Sequence, residues 1–130
     1  MYTAIRTRSQ VPVIAIIDDD RSVRVATESL VLSLGYIVRT YASAEEFLHS
    51  PSTEDVACLV VDVHLSGMNG VELQGQLERQ GRGTPIIFIT AFPDERVKAR
   101  AIRHGAAGFL TKPFDGNVLV KCLETALGEN

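Results

Sequence analysis

Apolar and polar positions along the chain switch five times between a strand-like run, mostly continuous and apolar, and a stretch with helix-like character. Val13 to Ile17 is a β-branched run that predicts a strand buried on both faces. Asp20 to Gly35 then places Val23, Ala26, Leu30, Val31 and Leu34 at helical spacing, and Gly35 supplies the stop. Tyr36 to Tyr41 alternates as a second strand. Ser43, with Glu46 three residues later, has the pattern of a capping box opening a short helix that turns Phe47 and Leu48 inward. Cys58 to Val61 is the next apolar strand, and a turn-rich Ser66 to Gly70 leads into a helix with Val71, Leu73 and Leu77 on its inner face. Pro85 to Ile89 predicts a fourth strand and Pro93 to His104 a helix ended by Gly105. Phe109 and Leu110 form a short fifth strand, and Asp115 to Leu127 a final helix.

Continuous apolar strands alternating with amphipathic helices imply a parallel sheet covered on both faces, because right-handed crossovers place helices there. The fold class is therefore α/β in one domain. Met1 to Gln10 has no apolar period, so residues 1–11 read as a flexible leader and 12–130 as the domain. A chain of 130 residues buries roughly two-thirds of its unfolded surface without metals or disulfides. The 45% hydrophobic content and thinly spread charge exclude a disordered chain. A net charge of -3 gives no long-range pull on polyanions, so direct nucleic-acid contact by this domain is not expected. The longest apolar stretch, Val11 to Ile17, runs into Asp18, Asp19 and Asp20 and is far short of the roughly 20 residues of a membrane span. Cys58 and Cys122 have no CxxC or Cys/His neighbours and read as small core residues in a reducing compartment, which makes the cytoplasm the expected location.

The residues that close the strands carry the chemistry. Asp18 and Asp19 follow the first, Asp62 the third, Thr90 the fourth and Lys112 the fifth. In an open parallel sheet these positions share the carboxyl edge, where ligands bind at the topological switch point. Carboxylates brought within a few Å repel one another unless protonation or a cation relieves them. An all-oxygen set suits Mg²⁺, with Mn²⁺ able to substitute, and Mg²⁺ commonly bridges to phosphate oxygens. With a cation and the Lys112 ammonium present, the edge can accept an anion. Asp62 then becomes a nucleophile toward a phosphoryl group, and the Thr90 hydroxyl a donor to its oxygens.

The segments IIDDD, VVDVHLSGMNG, FITA and FLTKPF resemble the response regulator receiver domain of two-component signalling, in the right order from Val13 to Leu127. That resemblance implies a flavodoxin-like (βα)5 doubly wound sheet with strand order 2-1-3-4-5. It implies that Asp62 takes a phosphoryl group from the phosphohistidine of a sensor histidine kinase, or from a phosphotransfer protein. Asp19 then ligates Mg²⁺ directly, Asp18 does so largely through water, and the His64 backbone carbonyl completes the protein ligands. Lys112 and Thr90 hold the phosphoryl group, and Thr90 and Phe109 form a switch that remodels the face of the last two helices. The Lys112-Pro113 bond is cis in the family. Such a domain is not an enzyme beyond catalysing its own phosphorylation and dephosphorylation. GAAGFLTKPFD resembles receivers that precede LuxR-type helix-turn-helix domains, so the expected partners are a downstream protein or a DNA-binding domain absent from these residues, with a phosphorylation-dependent homodimer.

Plainer roles compete at several positions. Asp20 opens a helix and reads as an N-cap rather than a ligand. The His64 side chain reads as solvated, and only its carbonyl is assigned. Phe109, without the resemblance, is a core aromatic. Ser66 stands where the family usually has Pro, and Phe92 where smaller or polar residues are frequent; a bulky Phe92 restricts the water that attacks a phosphorylated Asp62. Two other classes share parts of the pattern. A haloacid-dehalogenase phosphatase carries DxD on its first strand, whereas Asp62 lies mid-chain, and a flavodoxin-like FMN binder needs phosphate donors where this chain has three aspartates.

Overall fold

The structure is a computed structural model that describes residues 11–128. Ten elements alternate without exception. They are β1 (Val13–Ile17), α1 (Arg21–Ser33), β2 (Ile37–Tyr41), α2 (Ala44–His49), β3 (Val56–Asp62), α3 (Gly70–Arg79), β4 (Ile86–Thr90), α4 (Glu95–Arg103), β5 (Gly108–Thr111) and α5 (Gly116–Leu127). The strands form one parallel sheet in the order β2-β1-β3-β4-β5. The predicted doubly wound, flavodoxin-like fold is the fold of this chain. The leader expected at residues 1–11 falls, except for Val11, outside the described residues.

Strand periodicity explains the two layers. Val13, Ala15 and Ile17 point to one face of β1, where they pack with Phe47 of α2, Leu73 and Leu77 of α3 and Ala101 of α4. Ile14 and Ile16 point to the other, against Val31 of α1 and Leu119 and Leu123 of α5. All five residues of β1 are therefore buried, as are those of β4. Among the described residues no helix is long and apolar enough to cross a membrane.

The chain departs from its periodicity in small, explicable ways. On α1 the fully buried positions are Thr27 and Val31, while Ala26 and Leu34 are exposed. Thr27 can face the core because its hydroxyl donates to the Val23 carbonyl at 2.8 Å, leaving only its methyl to pack. Leu34 is the C-cap, past the last turn. At α2 the Ser43 hydroxyl accepts from Glu46 N as expected, but Glu46 returns its bond to Ala42 N at 3.2 Å rather than to Ser43. α4 starts at Glu95, not Pro93, because Asp94 caps it through Arg96 N and Val97 N. Cys58 is buried, and burial pushes its thiol up to about 12; Cys122 is partly buried and is pushed up by the same cause.

Candidate functional site

Sheet order decides where the strand-end residues meet. From β1 the chain winds outward to β2 and then back across to β3, β4 and β5, so the switch point lies between β1 and β3. Asp18 extends β1, with its amide bonded to the Tyr41 carbonyl. Its Oδ1 accepts from Asp20 N at 2.9 Å, and Arg24 of α1 donates to its carbonyl at 2.7 Å. Asp20 is committed as the N-cap of α1, accepting from Ser22 N and Val23 N. Asp62 is the last residue of β3 and is buried. Gly70 opens α3 directly beneath it: a Cβ on Gly70 would lie 2.7 Å from the Asp62 carbonyl oxygen.

Three charged side chains meet at this edge. Lys112 Nζ donates to Asp62 Oδ2 at 2.7 Å and lies 3.0 Å from Asp18 Oδ2. The second contact is an ion pair without hydrogen-bond alignment, so Asp18 Oδ2 is buried with no hydrogen-bond partner. Burial pushes the Asp18 carboxyl above its ordinary range; the Asp20 N–H and Lys112 pull the other way without reversing it. For Lys112, burial pulls the ammonium down, but its bonds to Asp62 and Asp18 outweigh that and hold it above its ordinary value. The two shifts are not mirror images, because burial dominates at Asp18 while the paired carboxylates dominate at Lys112. Lys112 is itself held by its N–H, which donates to the Thr90 carbonyl at 2.7 Å, and the bond to Pro113 is cis.

Oxygens of Asp18, Asp19 and Asp62 lie within 4.8 Å of one another. That spacing, the hard-oxygen donor set and the buried Asp18 oxygen that lacks a hydrogen bond fit a small divalent cation. Asp19 is exposed; its Oδ2 receives Ser66 N at 3.3 Å and Ser66 Oγ at 3.4 Å. His64, two residues past Asp62, donates its N–H to Asp62 Oδ1 at 2.8 Å, and its ring is exposed. Thr90 is buried, with its hydroxyl accepting from Phe92 N at 3.0 Å. Phe109 is half-buried, its ring 6.1 Å from that of Phe88. The sequence reading missed three contacts around the cluster: Arg24 on the Asp18 carbonyl, Ser66 on Asp19, and Glu45 on the loop after Asp62. Only Ser66 carried a signal, its departure from proline.

A family model described as the response regulator receiver domain matches residues 14–124. The chain belongs to this family. The response regulator protein TodT of Pseudomonas putida is 40% identical over 115 residues, which are 88% of this chain and 51% of that protein. The transcriptional regulatory protein FixJ of Azorhizobium caulinodans is 35% identical over 115 residues, 88% of this chain and 54% of FixJ. Among solved structures, response regulator StyR superposes with a TM-score of 0.84 at 41% identity, covering 92% of this chain and 61% of StyR. FixJ-N superposes with a TM-score of 0.82 at 31% identity, covering 93% of this chain and 97% of that one. The chain spans about half the length of the curated relatives it matches. It is thus a receiver domain of a two-component response regulator, a signalling domain of a family that binds Mg²⁺ at an acidic pocket.

Proposed function

We propose that residues 12–130 form a phosphoacceptor receiver domain in which Asp62 accepts a phosphoryl group from a phosphohistidine of a sensor histidine kinase or phosphotransfer protein. One observation supports this most strongly. Asp62 Oδ2 is 2.7 Å from the Lys112 ammonium, beside a buried Asp18 oxygen that has no hydrogen-bond partner. A purely structural acid in the core needs full satisfaction; here one buried Asp18 oxygen has the Lys112 ammonium 3.0 Å away but no hydrogen bond.

In the reaction an Asp62 carboxylate oxygen attacks phosphorus. The O–P bond forms as the donor N–P bond breaks, and the imidazole leaves with the bonding pair and takes up a proton. Asp18, Asp19, Asp62 and the His64 carbonyl are the groups that would hold Mg²⁺, or Mn²⁺ in its place. A cation held by these groups would supply positive charge to neutralise the phosphoryl oxygens. Lys112, now paired with both carboxylates, turns one N–H toward the transferred group. Thr90 gives its hydroxyl to the same group, and Phe109 follows it inward, shifting the α4–β5–α5 face. Reversing a 1:99 population needs about 5.5 kcal/mol of preference between states, which charge-assisted bonds to Lys112 and Thr90 supply in large part. Output passes to a downstream protein or a LuxR-type DNA-binding domain, with homodimerisation on phosphorylation, in the cytoplasm and without direct nucleic-acid contact by this domain.

The decisive experiment is to incubate the protein with Mg²⁺ and acetyl phosphate and weigh it. A single hydroxylamine-labile adduct is expected, and it should disappear in Asp62→Asn. Equal labelling of both proteins overturns the assignment.

A further inference from the structure

The loop between β3 and α3 is pinned from two sides, and one pin ends on a carboxylate of the acidic cluster. On the outer side, Glu45 in the first turn of α2 accepts from Met68 N at 2.8 Å, 23 residues away in sequence. Gly67 sits beside it with φ +73, where an added Cβ would lie 2.5 Å from Glu45 Oε2, so the chain passes directly over the carboxylate. On the inner side, Ser66 brings two donors, its N–H and its hydroxyl, to the same Asp19 oxygen. A proline at position 66, the residue this family usually has there, would carry neither donor.

We propose that Ser66, braced by Glu45 through the 66–68 loop, is a positioning residue that fixes the Asp19 carboxylate for the divalent cation. This rests on the metal-site reading above. Asp19 is exposed, and without a partner its side chain would sample several rotamers that binding must then freeze. Two donors on one oxygen remove most of that freedom beforehand, which is preorganisation of a ligand. The Glu45 carboxyl is held below its ordinary range, chiefly by the Met68 N–H, in keeping with a brace that stays ionised at neutral pH.

The test is Mg²⁺ titration of the full chain by calorimetry. Ser66→Pro, which removes both donors, should raise the Mg²⁺ dissociation constant about three- to tenfold, the range expected for freezing one side chain. Ser66→Ala should fall between Ser66→Pro and wild type. Ser66→Thr keeps both donors and should restore wild-type affinity, a rescue that a merely structural loop role does not predict. Glu45→Ala should weaken binding in the same direction. A second readout needs no metal: Asp19→Asn should move the Ser66 amide resonance in metal-free protein. If Ser66→Pro binds Mg²⁺ like wild type while wild type binds normally, the positioning role is wrong and the metal site stands. If wild type takes up no Mg²⁺, the site reading falls and the positioning role with it.

Discussion

Phe92 is the side chain whose removal should change the proposed phosphorylation cycle most cleanly. Its ring is 71% exposed, unusual for a phenylalanine beside a polar site, and it meets the exposed His64 ring edge-to-face with centroids 5.5 Å apart and planes at 82°. The backbones beneath the rings are tied to the chemistry: Phe92 N bonds the Thr90 hydroxyl and His64 N bonds an Asp62 oxygen. The pair therefore bridges the loops after β3 and β4. Aromatic pairs of this geometry are worth about 0.5–1.5 kcal/mol beyond their buried area. If water reaches a phosphorylated Asp62 only when the rings part, Phe92→Ala should speed loss of the phosphoryl group about two- to tenfold, since 1.36 kcal/mol is tenfold in rate. His64→Ala, which keeps the backbone carbonyl, should accelerate by a similar factor. The double variant should go no faster than the faster single, because either change breaks the same contact. The assay is the decay of the intact-mass adduct after acetyl phosphate is removed, at constant Mg²⁺ and pH. An unchanged rate in Phe92→Ala, or single-variant factors that multiply in the double, refutes the gate. Stability should fall by no more than the ring pair's about 0.5–1.5 kcal/mol at so exposed a site, and urea unfolding checks that the comparison is fair.

Three further outcomes follow from the packing and the charges. Gly70→Ala forces a methyl to within 2.7 Å of the Asp62 carbonyl and 3.1 Å of Val63 Cα, both backbone, so it should cost about 1–3 kcal/mol in urea unfolding. Gly108→Ala meets only the movable Cys122 side chain on its closest side and should cost less. Asp18→Asn in metal-free buffer should stabilise the protein at neutral pH. A carboxyl whose folded pKa is raised subtracts stability above that pKa, and the subtraction fades as pH falls through the folded pKa toward the unfolded value, below which it is gone, so the gain should shrink in mild acid; destabilisation at pH 7 would contradict the sign. With Mg²⁺ added, wild type should gain stability and Asp18→Asn should not. Cys58, with its thiol at about 12, should resist a thiol reagent at pH 8 in the folded protein and react once urea is added, whereas labelling of both thiols at equal speed in the native state would mean the β3 core opens readily.

The convergence of Asp18, Asp62, Thr90 and Lys112 was legible in the sequence because a parallel sheet turns the last residue of every buried strand to one edge, and each strand had an apolar run with a clear end. The helix boundaries were legible to within about two residues for the same reason: caps such as Asp20 and Asp115 act locally, through bonds two or three residues away. Helical phase was less secure. The period put Ala26 on the inner side of α1, but Thr27 faces inward instead, because a hydrogen bond to Val23 O hides its hydroxyl, a compensation invisible in a hydropathy pattern. Contacts between loops were not legible at all. Ser66 and Asp19 are 47 residues apart and meet only because β1 and β3 are neighbours with a particular register.

Lys112 shows how far the chemistry outran the pattern. From the sequence its ammonium belonged to an incoming phosphoryl group, and the need to relieve three aspartates was assigned to a cation. In the fold Lys112 already does part of that work, lying 2.7 Å from Asp62 and 3.0 Å from Asp18. It cannot do all of it, because a single ammonium reaching two carboxylates leaves Asp18 Oδ2 without a hydrogen bond and its carboxyl reluctant to ionise. On the proposed reading, such an edge would regain, when a cation binds, the stability that burying Asp18 costs, which is why both the stabilising effect of Asp18→Asn and its loss of Mg²⁺ response are expected of the same residue.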